Sequence, residues 1–272
     1  MIIDNTILQC FNRCPRMYRW RHLFNLVPQE GSTTPLHFGS AIHTCLEIWY
    51  KGGTYSEGIA GFVNSMTGKP TDDKRNIPNG LLILNAYWKK WIPELSISVK
   101  HVESPIQIEL TSDIIFCGKV DLVVEMFGDL YVMDHKTASN FSNTVARPNS
   151  QFTGYIYASR VLGVPVTGAI INLIAVLKTK QDFHRVITTR QEWELTEWKR
   201  WVCDTKQLID IATQYDDFPK YTHSCWQCGY KELCNSGPKS LQQMIDSKYK
   251  QEKWEPWIQP VSEPVIETEL KP

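Results

Sequence analysis

The chain has 272 residues, 42% of them hydrophobic, with 29 basic side chains balanced by 29 acidic ones. That length supports a substantial core in one large domain, and the balanced charge excludes a global field that would gather polyanions, so any nucleic-acid surface must be local. No stretch is apolar over a membrane-spanning length and the N-terminus lacks a secretory pattern, so the chain reads as soluble and cytoplasmic, with reduced thiols.

Residues 5 to 26 mix aromatic and apolar side chains with Arg13, Arg16, Arg19 and Arg21, a pattern of helices interrupted near Pro15. From Gly39 to Tyr50, the helical spacing of Ile42, Leu46 and Trp49 predicts a core-facing stripe, with His43 and Glu47 on a second face. Glu47 reads as a solvated helix charge. Lys51 to about Gly80 is rich in Gly, Pro, Thr, Asn and Asp and reads as a loop or lid, followed by a helix at about 81 to 92. Runs at 105 to 111, 114 to 126 and 130 to 135, separated by turn formers that include Phe127-Gly128-Asp129, predict a three-strand meander.

A helix is predicted over 150 to 162, ended by Gly163 and Pro165, then strands at 168 to 177 and 183 to 189. The next helix, from about 189 to 215, reads as amphipathic through Trp193, Leu195, Trp198, Val202, Leu208 and Ile211. A cysteine-bearing segment at 223 to 237 closes a predicted domain 1–237. Residues 238–272 read as an extended or disordered tail.

Two acids stand in apolar strands, in Gly118-Lys119-Val120-Asp121 and in Asp134-His135-Lys136. Burying such carboxylates is costly unless a cation compensates them. A hairpin around Gly128 lets Asp121 and Asp134 converge, and strand alternation puts Lys136 on the face of Asp134 and His135 on the other. Two carboxylates that hold Mg²⁺ or Mn²⁺ and an ammonium that orients a water are the parts needed for phosphodiester hydrolysis.

Cys225, Cys228 and Cys234 supply three thiolates, one short of a tetrahedral site, with Cys10, Cys14, Cys45, Cys117 and Cys203 as candidates for the fourth. Four thiolates suit Zn²⁺ and a [4Fe-4S] cluster alike. Arg13, Arg16 and Arg19 with Trp20 combine phosphate contacts and base stacking, as suits single-stranded DNA, and Lys119, Lys178, Lys180 and Arg185 extend the path.

Gly39-Ser40-Ala41-Ile42-His43, the two acidic motifs and Gln151-Phe152-Thr153-Gly154-Tyr155 resemble, in order, the motifs of RecB-like PD-(D/E)XK nucleases, although Val120 stands where the superfamily name has proline. The resemblance implies an α/β restriction-endonuclease-like core, a central mixed sheet flanked by helices. It implies that His43 and the His135 carbonyl join Asp121 and Asp134 as metal ligands, and that Gln151 and Tyr155 border the site beside Lys136. Cys14-Pro15-Arg16 resembles the N-terminal cysteine of the iron-staple nucleases, AddB-like and CRISPR-associated. That likeness implies a [4Fe-4S] cluster on Cys14, Cys225, Cys228 and Cys234, joining the N- and C-terminal segments, with structural Zn²⁺ as the alternative.

The expected activity is that of an exonuclease on single-stranded DNA or DNA ends, in recombination, repair or phage DNA processing, within a bacterial cytoplasm or a phage-infected host. A flap endonuclease and a non-catalytic DNA-binding module are the alternatives. The sequence has no Gly-rich Lys-Ser/Thr phosphate loop, so unwinding would come from a helicase or recombination partner.

Overall fold

The predicted meander is β3 (Ile97–Thr111), β4 (Ile114–Met126) and β5 (Asp129–Ala138) in the computed structural model, which describes residues 1–29, 33–93, 96–141 and 149–255. The β4–β5 turn has two residues, Phe127 at φ 55° and Gly128 at φ 86°, a left-handed pair that matches the strand twist of a tight hairpin. β6 (Gly168–Ala175) lies parallel to β5 and is buried throughout, and β7 (Phe183–Thr189) closes that edge antiparallel. β1 (Ile2–Ile3) runs parallel to β4 at Ile115 and Phe116. The result is a six-stranded mixed sheet in the order β1-β4-β5-β6-β7, with β3 on the other edge of β4.

Helices cover both faces. α1 (Asn5–Arg13), α6 (Ser150–Val161) and α7 (Glu192–Gln214) share one core with the sheet; α3 (Thr34–Tyr50), α4 (Tyr55–Met66) and α5 (Ile77–Trp91) form the other. Asp4 caps α1 by accepting from Ile7 N–H at 2.7 Å. The chain turns extended at Cys14, and Pro15 then opens α2 (Pro15–Tyr18), which runs into a π-helical turn, Arg19–Leu23.

The segment expected to be a loop or lid contains α4. Thr54 and Glu57 form a reciprocal cap at its start. Its glycines are contact surface rather than chain breakers: a Cβ on Gly58 would sit 2.0 Å from Trp49 Nε1, and one on Gly61 2.5 Å from Ile48 Cδ1. α7 also differs from expectation in which face it buries. Leu195, Trp198, Val202, Thr205, Ile209 and Ala212 face the core, while Trp193, Leu208 and Ile211 are exposed. Small residues at 205 and 212 complete a stripe that hydrophobicity alone did not mark.

The expected tail is structured over its first part. After α8 (Lys231–Asn235) comes α9 (Pro238–Lys248), then β8 (Tyr249–Gln251), which pairs antiparallel with β2 (Leu26–Pro28). Trp20, Leu26, Tyr230, Leu233 and Tyr249 form a small core of their own. Residues 256–272 lie outside the described residues. The terminal segments are therefore clasped by a strand pair and a packed aromatic cluster. Among the described residues, no helix is long and apolar enough to cross a membrane.

Candidate active site

The site lies where the sheet comes apart. β4 and β5 pair from Met126↔Asp129 to Leu122↔Met133, and no further pair follows, although both strands continue. Beyond that point β5 stays with β6 and β4 with β3. Side chains then take the place of the missing ladder. His135 N–H donates to Asp121 Oδ2 at 2.7 Å, and His43 Nε2 lies 2.9 Å from the His135 carbonyl oxygen. His43 Nδ1 stands 3.3 Å from Asp121 Oδ2. Lys136 Nζ is 2.6 Å from Asp134 Oδ2, on the same face, as alternation predicts. His43, Asp121, Asp134, the His135 backbone and Lys136 thus meet at one opening.

Burial shapes the electrostatics. It pushes Asp134 upward as an acid, and the charge of Asp121 adds to this while Lys136 opposes it. Burial acts the same way on Asp121, but hydrogen bonding and charge from His43, with the His135 N–H, outweigh it and hold that carboxyl low. The Asp121 contact in turn overcomes burial to raise His43. One acid, Asp121, is therefore held ionised by its imidazole partner, while burial and the neighbouring carboxylate favour the proton on the other, Asp134.

Small residues let the helices approach. Gly39 lies within α3, one turn before His43, and a Cβ there would stand 3.2 Å from Thr137 Oγ1 on β5. A Cβ on Gly118 would meet Tyr155 Cε1 at 3.1 Å; one on Gly154 would meet Trp198 Cζ2 at 2.7 Å and Phe116 Cζ at 3.0 Å. α6 thereby seats Gln151 and Tyr155 against the opening. Gln151 Nε2 donates to Tyr155 Oη at 2.9 Å and reaches Asp134 Oδ1 at 3.4 Å. Glu103 was not singled out in the sequence. It stands between residues that pair with Leu122 and Val120, opposite Asp121, has φ 55°, and ion-pairs with Lys119. A left-handed non-glycine residue inside a strand was the structural signal that sequence could not carry.

The donor set of two carboxylates, an imidazole and a carbonyl is hard and oxygen-rich, which suits Mg²⁺ or Mn²⁺. One observation fits a cation here: Asp134 Oδ2 is buried, and its partner among the described residues is itself a cation, the Lys136 ammonium. Among the described residues no group of three His, Cys, Asp or Glu side chains stands ready to hold a metal ion. His43 and the His135 carbonyl contact each other instead.

In the cysteine region Cys14 is buried, and Cys225, Cys228 and Cys234 are partly buried. Cys14 Sγ accepts from Tyr221 N–H at 3.4 Å and Cys234 Sγ from Trp20 Nε1–H at 3.3 Å. Trp20, expected to stack on a base, is 7% exposed and packs beneath Cys234. Arg16 donates to Phe218 O and Arg19 pairs with Asp216, so both brace the fold, whereas Arg13 is exposed without an ion pair among the described residues. Lys119, Lys178 and Lys180 each pair with an acid, and Arg185 stacks 4.0 Å over Trp91, so they do not extend a free basic path. Glu47, read as a solvated charge, pairs with Lys51.

Two buried acids and an ammonium at the mouth of a divided mixed sheet define a nuclease-type α/β protein. The chain belongs to the PD-(D/E)XK nuclease superfamily, whose model matches residues 5–235. Its fold is similar to the crystal structure of a Eubacterium rectale protein named "Putative exonuclease", with TM-score 0.58 and 12% identity over 90% of this chain and 92% of that one. A second solved structure, SSO0001, aligns at TM-score 0.35 and 13% identity over 72% of this chain and 84% of its own. No curated protein matches the chain in sequence.

Proposed function

We propose that the chain is a Mg²⁺- or Mn²⁺-dependent deoxyribonuclease of the RecB-like branch, acting as an exonuclease on single-stranded DNA or DNA ends in recombination, repair or phage DNA processing. The observation that carries the reading is the convergence of Asp121, Asp134 and Lys136 at the split between β4 and β5, with Asp134 Oδ2 buried against the Lys136 ammonium. Asp121, Asp134, His43 and the His135 carbonyl would hold the cation. When bound, it supplies an acidified water and neutralises charge on the phosphate.

The protein's own groups do the rest. Lys136, tethered to Asp134, orients the attacking water and stabilises developing charge. Gln151 and Tyr155 hold the far side of Asp134 and offer an amide and a phenol to the scissile phosphate. Arg13 is the arginine free to take a phosphate of the strand. A helicase or recombination protein would supply the unwinding.

A [4Fe-4S] cluster on Cys14, Cys225, Cys228 and Cys234 completes the proposal. Its support is the N–H donation to two of these sulfurs, Cys14 and Cys234, the kind of hydrogen bonding that tunes cluster thiolates. Colour and iron content of anaerobically purified protein test it, with zinc in place of iron as the opposing result. For the activity, end-labelled single-stranded and duplex DNA are digested with Mg²⁺ or Mn²⁺ alongside circular DNA. The reading expects loss of ends only, abolished by Asp121→Ala, Asp134→Ala or Lys136→Ala. Cleavage of circles would instead indicate an endonuclease, and no cleavage by the cluster-bearing protein would indicate a binding module.

A further inference from the structure

Behind the site, on the opposite face of the sheet, lies a buried polar network beside the apolar side chains of Leu122, Met133 and Ile170. Asn172, on β6 directly across from His135, is fully buried, and its Nδ2 lies 2.7 Å from His135 Nδ1 and 2.8 Å from Tyr87 Oη. Arg185 Nε donates to Asn172 Oδ1 at 3.4 Å and its Nη2 to Tyr50 Oη at 3.3 Å, while the Tyr50 and Tyr87 hydroxyls are 2.8 Å apart. Tyr50 also stacks on the His135 ring, with centroids 5.6 Å apart and planes 13° apart.

The donors leave one solution. A guanidinium cannot accept, so the Asn172 oxygen must face Arg185 and its NH₂ group must face His135 and Tyr87. Asn172 then donates to His135 Nδ1, which carries a lone pair, and the ring proton resides on Nε2. Ring position and tautomer are both fixed. Burying several polar groups in an apolar layer is destabilising unless all are satisfied, and apolar residues would pack there without that demand. The network grips the residue whose two backbone groups face the opening, on the strand that has lost its β4 partner.

We infer that Asn172, backed by Tyr87 and Arg185, is a positioning residue that clamps His135 so that its carbonyl oxygen and N–H stay aimed at the cation and at Asp121. This rests on the nuclease reading, and it assigns roles to residues outside the four sequence motifs. It also explains a histidine at 135 whose ring points away from the chemistry.

The test measures Mn²⁺ binding to the full-length protein without DNA, by the free-Mn²⁺ paramagnetic resonance signal, with Asp121→Ala as the blank for this site. ¹⁵N-histidine spectra, with His135→Gln to assign the ring, report the tautomer. Asn172→Leu should weaken Mn²⁺ binding by about tenfold or more, the usual effect of removing a partner that orients a ligand, and should abolish the fixed Nε2–H signature. Tyr87→Phe, which keeps the ring packing, should weaken binding about threefold and serves alone if Asn172→Leu does not fold. Cleavage at saturating Mn²⁺ should recover far more than cleavage at limiting Mn²⁺. Binding within twofold of wild type with an unchanged histidine signature, in whichever variants fold, overturns the clamp. Wild-type protein that binds no more Mn²⁺ than the Asp121→Ala blank overturns the nuclease reading, and the clamp with it.

Discussion

Replacing Tyr249 with alanine tests whether protein contacts or a metal cluster alone unite the two ends of the chain. Tyr249 is 6% exposed, packs on Tyr230 with ring centroids 5.8 Å apart, and donates from its hydroxyl to Gly229 O at 2.7 Å. Removing a buried aromatic side chain costs about 3–5 kcal/mol through lost transfer energy and the cavity left behind. At about 2–4 °C per kcal/mol for a chain of this size, the midpoint of unfolding should fall by roughly 6–20 °C. The assay is thermal unfolding by circular dichroism, run on protein as purified and after chelation. If the β2–β8 clasp works as the contacts indicate, Tyr249→Ala lowers the midpoint in both preparations. A drop of less than about 2 °C in the chelated protein would refute the reasoning, because the clasp would then contribute nothing without metal.

Asp134→Asn should raise the stability of metal-free protein at pH 8. The folded pKa of Asp134 is raised, so the native state binds more protons than the unfolded chain above about pH 3.9, and stability falls as pH climbs through that window. The gain should shrink as pH is lowered, and equal destabilisation at pH 5 and pH 8 would contradict it. Gly118→Ala should cost about 1–3 kcal/mol in stability and lower turnover about tenfold in the protein that stays folded, since the new methyl displaces Tyr155 and with it Gln151; steady-state kinetics beside a melting curve would show both. On α7, Ile209→Ala should destabilise by about 2–5 kcal/mol while Leu208→Ala stays within about 0.5 kcal/mol, as denaturant titration can resolve.

The meander and its acids were legible because the information is local. Alternation and the Phe127-Gly128 turn fix which side chains share a face, and the pairing of β4 with β5 follows. The split beyond Leu122 and Met133 was not legible, because it depends on which partners β4 and β5 keep, β3 and β6, and those pairings are set by the whole sheet. Helix α4 was hidden by Gly58 and Gly61, which read as breakers but are places where Trp49 and Ile48 come close. Trp20 looked like a stacking platform beside arginines, yet tertiary context buries it. Asn172 gave no signal, since one polar residue in an apolar strand gains meaning only when His135, Tyr87 and Arg185 surround it.

The hairpin of β4 and β5 has the mechanics of a partly closed zipper. Its closed end is the Phe127-Gly128 tip, and its open end carries the two carboxylates. The gap between Asp121 and Asp134 is therefore a property of how far the closure runs. One more rung would pair Asp121 with Asp134 directly and set their backbones at ladder spacing, while one fewer would let the carboxylates drift apart. Substitutions at Val124 or Tyr131, which touch no reacting group, would thus act as a gauge on the width of the site.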